Sequence, residues 1–327
     1  MTRITPSLAI SAALVALALN AAPSHAQQAR SFVSGLGSDS NAPNCVRTAP
    51  CRTFQVAHDN TLANGEISVL DGGSYGSVTI TKNISIINDG VGEAGALVSG
   101  GATGITFNAG ATDAVTLRGL TIKGIGFGGG NGILFHTGRS LALENCVIRN
   151  MTGTSPLGIG VVFEAATTTS YAVTNTTVTD NQNWGIIVAP LGGSGIVVSA
   201  VLNGVSLYNN QFGFAINGSN ASNTSLVTAT ITNSVAGNNM SGFVAASSSG
   251  QASTSILLTN SVAAGNGVGL DAEGGFPARI LVGGSTLTSN NTNLVILNGA
   301  GVFTWGNNYQ AFNLTTNAFT FPVVPLQ

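Results

Sequence analysis

Leu143-Glu144-Asn145-Cys146-Val147-Ile148 is echoed by Val173-Thr174-Asn175-Thr176-Thr177-Val178. Further echoes are Leu202-Asn203-Gly204-Val205, Ile231-Thr232-Asn233-Ser234-Val235 and Leu258-Thr259-Asn260-Ser261-Val262. The lead asparagines at 145, 175, 203, 233 and 260 are separated by 30, 28, 30 and 27 residues. A second Asn stands six residues after the lead position in the later units, at Asn181, Asn209, Asn239, Asn266 and Asn290. A Gly beside an aromatic or aliphatic residue comes next, in Trp184-Gly185-Ile186, Phe212-Gly213-Phe214 and Ser241-Gly242-Phe243. Weaker copies stand at Leu117-Arg118-Gly119-Leu120-Thr121-Ile122 and at Gly284-Ser285-Thr286-Leu287.

Each unit holds three short β-branched runs broken by Gly, Asn and Ser, as in residues 171–178, 185–188 and 195–201. Alternation and short apolar runs dominate, and no helical period is present. Three short strands cannot bury their own apolar face, so each unit must stack on its neighbours. Parallel stacking at ~4.8 Å per coil sets equivalent residues directly above one another. The pattern therefore predicts an all-β parallel β-helix, a three-sheet solenoid of about nine or ten coils. Asn145, Asn175, Asn203, Asn233 and Asn260 are expected to form its structural ladder, bonding amide to amide where a repeated charge would repel itself. A β-propeller needs a longer unit, leucine-rich repeats need a Leu-rich consensus, and calcium-binding nonapeptides need repeated Gly-x-Asp runs.

Composition agrees. Of 327 residues only 10 are Lys or Arg and 12 Asp or Glu, 7% charged against about 25% in ordinary domains. Gly (44) and Asn (33) take the place of the missing charge. A net charge of −2 and a pI near 5.8 provide no basic stripe, so nucleic acid is excluded as a partner. Residues 1–26 read as a cleaved signal peptide: Arg3, an apolar stretch too short to span a bilayer, and Ser24 and Ala26 before Gln27. No transmembrane segment is expected in the mature chain, which is read as an exported, extracellular or periplasmic monomer. Cys45 and Cys51 flank a Pro-containing loop and are expected to form a disulfide; the rival metal site lacks a second ligand pair. Cys146 reads as a buried filler.

Residues 27–64 read as an N-terminal cap. Phe32-Val33-Ser34 suggests a strand, Gly35 to Asn41 a loop, and residues 55–63 a short capping helix with Phe54, Ala57 and Thr61 or Leu62 on one face. Gly65-Glu66-Ile67-Ser68-Val69-Leu70-Asp71-Gly72-Gly73-Ser74-Tyr75-Gly76 then opens the solenoid, residues 65–304, with a C-terminal cap or tail at 305–327. This order resembles the start of the pectin-lyase-like superfamily: an aromatic-Val-Ser strand, a Gly-x-Asp loop, a short helix and a Gly-acid-x-Ile-x-Val strand. The match is specific over residues 32–87 and loose to about 300. The resemblance implies a right-handed parallel β-helix, frequent contact with polysaccharide, and no particular activity.

The hydrolase motifs of that superfamily (Asn-Thr-Asp, Asp-Asp, Gly-His-Gly, Arg-Ile-Lys) are missing, as are the calcium cluster of the pectate lyases and the Asp-Pro-His of the epimerases. No cofactor and no metal site is expected. Charge is nevertheless uneven: eight charged residues fall between Asp113 and Asp180, and three after Asn181. In repeat register Arg118 neighbours Glu144, and Lys123 shares a position with Arg149, with Asp180 one step further. Lys123, Arg149, Glu144 and Asp180 are the candidate catalytic residues; Arg118, His136, Trp184 and Phe212 are candidate binding residues. Salt bridges and a packed aromatic ladder are the structural alternatives. The expectation is an exported, non-catalytic scaffold that binds polysaccharide or cell-surface glycan. The alternative is a polysaccharide lyase, hydrolase or epimerase.

Overall fold

A computed structural model describes residues 27–126, 129–275 and 277–320. The expected leader, residues 1–26, and the end of the expected tail, 321–327, lie outside the described residues. Every repeat unit places one strand in each of three parallel sheets, of eleven, nine and ten strands among the described residues. Leu117, Leu143, Val173, Leu202, Ile231, Leu258 and Val282 form a single column through seven coils of the eleven-stranded sheet. All point inward and are buried. Because alternate residues face opposite sides of a strand, apolar positions fill the lumen and Ser, Thr and small residues face out.

The ladder is present, but not in the column expected from the sequence. Asn145, Asn175, Asn233 and Asn260 are exposed and sit at corners between the eleven- and ten-stranded sheets, with φ of 53°, 48°, 52° and 49°. The chain can turn there in two residues only through the left-handed region, which Asn and Gly tolerate best. Gly119, Gly204 and Gly284 hold the same corner in other coils. Asn203 is displaced by one residue: it ends a strand and pairs with Thr174 and Thr232. The lead asparagines are thus corner residues, although Asn233 does donate to Asn203 Oδ1 (3.0 Å).

The buried ladder runs through the second corner, as Asn181, Asn210, Asn239, Asn266 and Asn290, and ends on the half-buried Asn313. Asn209 is the left-handed corner residue (φ 54°) beside it. Asn239 shows why the column is stable. Its Nδ2 donates to Leu207 O (3.0 Å) and Asn266 Oδ1 (3.1 Å). Its Oδ1 accepts from the backbone N–H (2.9 Å) and Nδ2 (3.3 Å) of Asn210. Both donors and both lone pairs are used, as a buried amide requires. The trailing glycines make room: a Cβ on Gly213 would come within 2.6 Å of Gly242 O and 3.2 Å of the Asn239 amide. A second buried column, Thr176, Ser234, Ser261 and Ser285, supplies hydroxyls to backbone N–H groups at the first corner.

The N-terminal end is closed by strand β1 (Gln28–Val33) and helix α1 (Phe54–Asn60). The helix is shorter than expected. Thr61, with extended backbone, caps it and opens strand β2 (Thr61–Val69), and Leu62 faces solvent at 44% exposure. Asp39 fastens loop to helix, accepting from the N–H groups of Arg52 (2.9 Å) and Thr53 (3.0 Å) and from the Thr53 hydroxyl (3.0 Å). Thr53 in turn accepts from Val56 N–H as N-cap. Cys45 and Cys51 are disulfide-bonded. Asp71 joins the cap to the first coil, receiving hydrogen bonds from Ser34 Oγ (2.5 Å), Gly35 N–H (2.7 Å) and Tyr75 Oη (2.7 Å). At the other end Asn293 Oδ1 accepts from Asn317 N–H (2.7 Å), and Thr320 N–H donates to Val302 O (2.8 Å).

Candidate functional site

The sequence-predicted residues divide between two faces. Trp184, Phe212 and His136 lie on the outer face of the nine-stranded sheet. Phe214 and Phe243, which share the same repeat, are buried in the lumen core. Trp184 and Phe212 are paired in register and stack outside, with ring centroids 5.4 Å apart and planes at 18°. Beside them runs a second outward column, Val162, Ile187, Ala215 and Val244, which forms an apolar cluster separate from the lumen core. Outer residues of a solenoid are ordinarily wet, so a buried apolar strip on this face is a distinguishing feature.

Two polar groups bound the strip. At one end His136 Nδ1 lies 2.5 Å from Glu164 Oε1, so each occupies the other. At the other, Asp271 replaces the aliphatic residue of the Val244 column. Its Oδ2 accepts from Ser241 Oγ at 3.3 Å, while Oδ1 is buried without a partner. Burial, helped by the nearby Glu273 carboxylate, pushes the Asp271 carboxyl up to about 6. Three strand spacings, roughly 14 Å, separate its coil from that of Trp184. Sequence reasoning did not single out Asp271; the available signal was a carboxylate in an otherwise aliphatic repeat position, in a segment almost free of charge.

The second face is charged. Glu144 does pair in register with Arg118, and Arg149 with Lys123. Their ion pairs, however, go to the turn at 89–93: Arg118 Nη2 to Asp89 (2.7 Å) and Arg149 Nη2 to Glu93 (3.8 Å). Asn88 shapes that turn, donating to Gly92 O (2.9 Å) and Gly119 O (2.7 Å). A groove of about 560 Å³ lies between Asp89, Arg118 and Asn145, and one of about 210 Å³ between Ser74, Glu93, Leu97 and Thr121. Asp180 does not join this group. It is an exposed corner residue (φ 57°) that accepts from Asn209 Nδ2 (2.9 Å) and Thr179 Oγ1 (3.1 Å). Asp180 thus stands apart from Arg118, Arg149 and the carboxylates that pair with them. Cys146 is buried, and burial raises its thiol to about 11, leaving it unreactive. Among the described residues no three His, Cys, Asp or Glu side chains could hold a metal ion, and no helix is long and apolar enough to cross a membrane.

Solved structures share the fold. A pectate lyase, Pel9A, superposes with a TM-score of 0.59 at 16% identity, covering 90% of this chain and 81% of its own. A rhamnogalacturonan lyase matches at a TM-score of 0.49 and 15% identity, over 81% of this chain and 75% of that one. The A-module of an Azotobacter vinelandii mannuronan C-5 epimerase gives 0.37 and 13%, over 80% and 89%. The chain thus shares the parallel β-helix fold of this pectate lyase. No family model and no curated sequence matches it.

Proposed function

We propose that this chain is an exported β-helix that binds saccharide chains along the outer face of the nine-stranded sheet without cleaving them. The observation that carries this reading is the stacked Trp184–Phe212 pair continuing into an apolar strip and ending on the polar Ser241–Asp271 group. Aromatic faces pack against the C–H faces of sugars, and a neutral carboxyl can donate to a sugar hydroxyl. The fold shared with a pectate lyase supports a saccharide as the ligand. The leader-like N-terminus and the Cys45–Cys51 bond support export into an oxidising compartment.

The enzymatic reading has one observation in its favour. A carboxyl titrating near 6 is poised for general acid–base work, and Asp271 is such a group. One experiment separates the two. Mature protein is tested on neutral and uronate polysaccharides for retention, unsaturated products and reducing ends. The binding reading expects retention, weakened five- to tenfold by Trp184→Ala or Phe212→Ala (about 1 kcal/mol each), and no products. Product formation abolished by Asp271→Asn would establish the enzyme instead.

A further inference from the structure

The described C-terminal end of the solenoid is finished unevenly. The last strand of the nine-stranded sheet, Thr292–Ile296, is overlaid by Thr315, whose carbonyl accepts from Asn293 N–H (3.0 Å). The last strand of the eleven-stranded sheet, Gly301–Thr304, is overlaid by Thr320. Its N–H donates to Val302 O (2.8 Å), and its Oγ1 accepts from Val302 N–H (2.7 Å). The last strand of the ten-stranded sheet, Tyr309–Ala311, has no such cover among the described residues. Tyr309 N–H donates to Ser285 O (2.9 Å) and Ala311 O accepts from Ser289 N–H (3.2 Å), so both turn their backbone groups toward the preceding coil. Alternate residues of a parallel ladder bond to opposite sides, so the Gln310 N–H and C=O point off the end. An exposed edge of this kind is normally blunted by charge or proline. Here Arg279 is the last charged residue of the sequence, and residues 280–320 contain no proline.

The side chains at this edge are apolar and open: Tyr309, Phe312 and Leu314 are 73%, 86% and 83% exposed. Phe312 stands at the left-handed corner that Asp180, Asn209, Asn238, Gly265 and Ser289 hold in preceding coils, each one residue before an amide of the buried ladder or its continuation. Its φ is 58°. A bulky residue is strained there, and a ring left in solvent gains nothing from the monomer's packing to offset that cost. We propose that this edge is the interface of a two-fold dimer, in which the ten-stranded sheets of two copies join end to end. Antiparallel pairing about Gln310 lets that residue exchange both N–H···O bonds with its own counterpart on the axis, so symmetry satisfies the exposed backbone pair. Tyr309, Phe312 and Leu314 of each copy then pack across the axis, and no like charge opposes them. A copy arriving head-to-tail would instead meet the N-terminal end. There Arg30, Arg47 and Asp59 expose charge, and Arg52 Nη1 already occupies Ser74 O (2.6 Å) on the opposite edge of the same sheet. The interface lies on a different sheet from the Trp184 strip, so it stands apart from the proposed saccharide face, and it replaces the monomer expected from the sequence.

Sedimentation of the mature protein across a concentration series provides the test. Wild type is expected to pass from monomer to dimer with a dissociation constant of roughly micromolar order, and to form nothing larger. Gln310→Pro removes the outward N–H, a substitution that an edge strand accepts, and should weaken the dimer about tenfold or more. Phe312→Asn should weaken it to a similar extent. At dilutions where all of the protein is monomeric, the same variant should raise the melting temperature, since Asn takes the left-handed corner more readily. The Gln310 amide should exchange its hydrogen slowly in the dimer and fast in the monomer. A wild type that stays monomeric would overturn the proposal, whether residues 321–327 or another partner takes the edge. So would open-ended oligomers, unaltered dimerisation of Phe312→Asn, or a lowered melting temperature of that variant. Should Gln310→Pro fail to fold, Phe312→Asn and the amide exchange decide alone.

Discussion

Asn239 donates to Asn266 across adjacent coils at 3.1 Å with both side chains buried, while Asn233, six residues earlier than Asn239, stands exposed at a corner with φ 52°. The same residue type is used twice per coil for unrelated reasons, one a satisfied buried amide and the other a left-handed backbone.

That difference is measurable. Asn239→Ala should destabilise the solenoid by roughly 3–5 kcal/mol, because several buried donors and acceptors lose their partners together. Asn233→Gly should be nearly neutral and Asn233→Ala should cost ~1–2 kcal/mol, the penalty of a Cβ in the left-handed region. Urea unfolding midpoints check the order; equal costs for Asn239→Ala and Asn233→Ala would contradict the assignment.

Asp271 should make stability depend on pH in an unusual direction. Its folded value, about 6, lies above the ordinary 3.8, so between these the folded chain holds a proton that the unfolded chain has released. Stability contributed by this group is therefore present at low pH and lost as pH rises through about 6. Asp271→Asn should stabilise the protein at pH 7 by up to about 3 kcal/mol and flatten the melting-temperature profile between pH 4 and 6. A profile unchanged by the substitution would show the carboxyl to be hydrated.

The cap should respond oppositely. Burial raises the Asp71 carboxyl, but hydrogen bonds from Ser34, Gly35 and Tyr75, with the Arg52 charge, outweigh it and hold the group below 3.8. Its contribution is complete above 3.8 and lost as pH falls through the folded value. Hydrogen exchange in β1 (Gln28–Val33) should accelerate below pH 3.8 before exchange in the central coils does. Ser34→Ala should bring that onset to higher pH.

Reduction of the Cys45–Cys51 bond, which closes a loop with a sequence separation of 6, should cost the cap about 2 kcal/mol. Under non-reducing conditions a thiol reagent should find no accessible cysteine in the folded protein. One should appear on unfolding, since Cys146 is buried with its thiol raised to about 11.

The β-helix was legible in the amino-acid sequence because a stacked repeat imposes its period on the chain. Spacing of 27 to 30 residues, three β-branched runs and a shortage of charge have no other economical packing. Register within a coil was legible only to one residue. Asn203 and Asn209 satisfy the pattern as well as Gly204 and Asn210, and only the position of the left-handed corner decides that Gly204 takes the first corner and that Asn210 turns inward at the second. The pairing of Lys123 with Arg149 and of Arg118 with Glu144 could be read from that period, whereas their partners Asp89 and Glu93 belong to an irregular turn that no repeat announces. Likewise Trp184 and Phe212 were recognisable as recurring aromatics, but their outward stacking, and the presence of Asp271 on the same face, depend on how coils of unequal length align. Periodicity is a property of local sequence and fixes which residues share a column. The environment of a column, and hence the chemistry of Asp271, is created only when the neighbouring coils close around it.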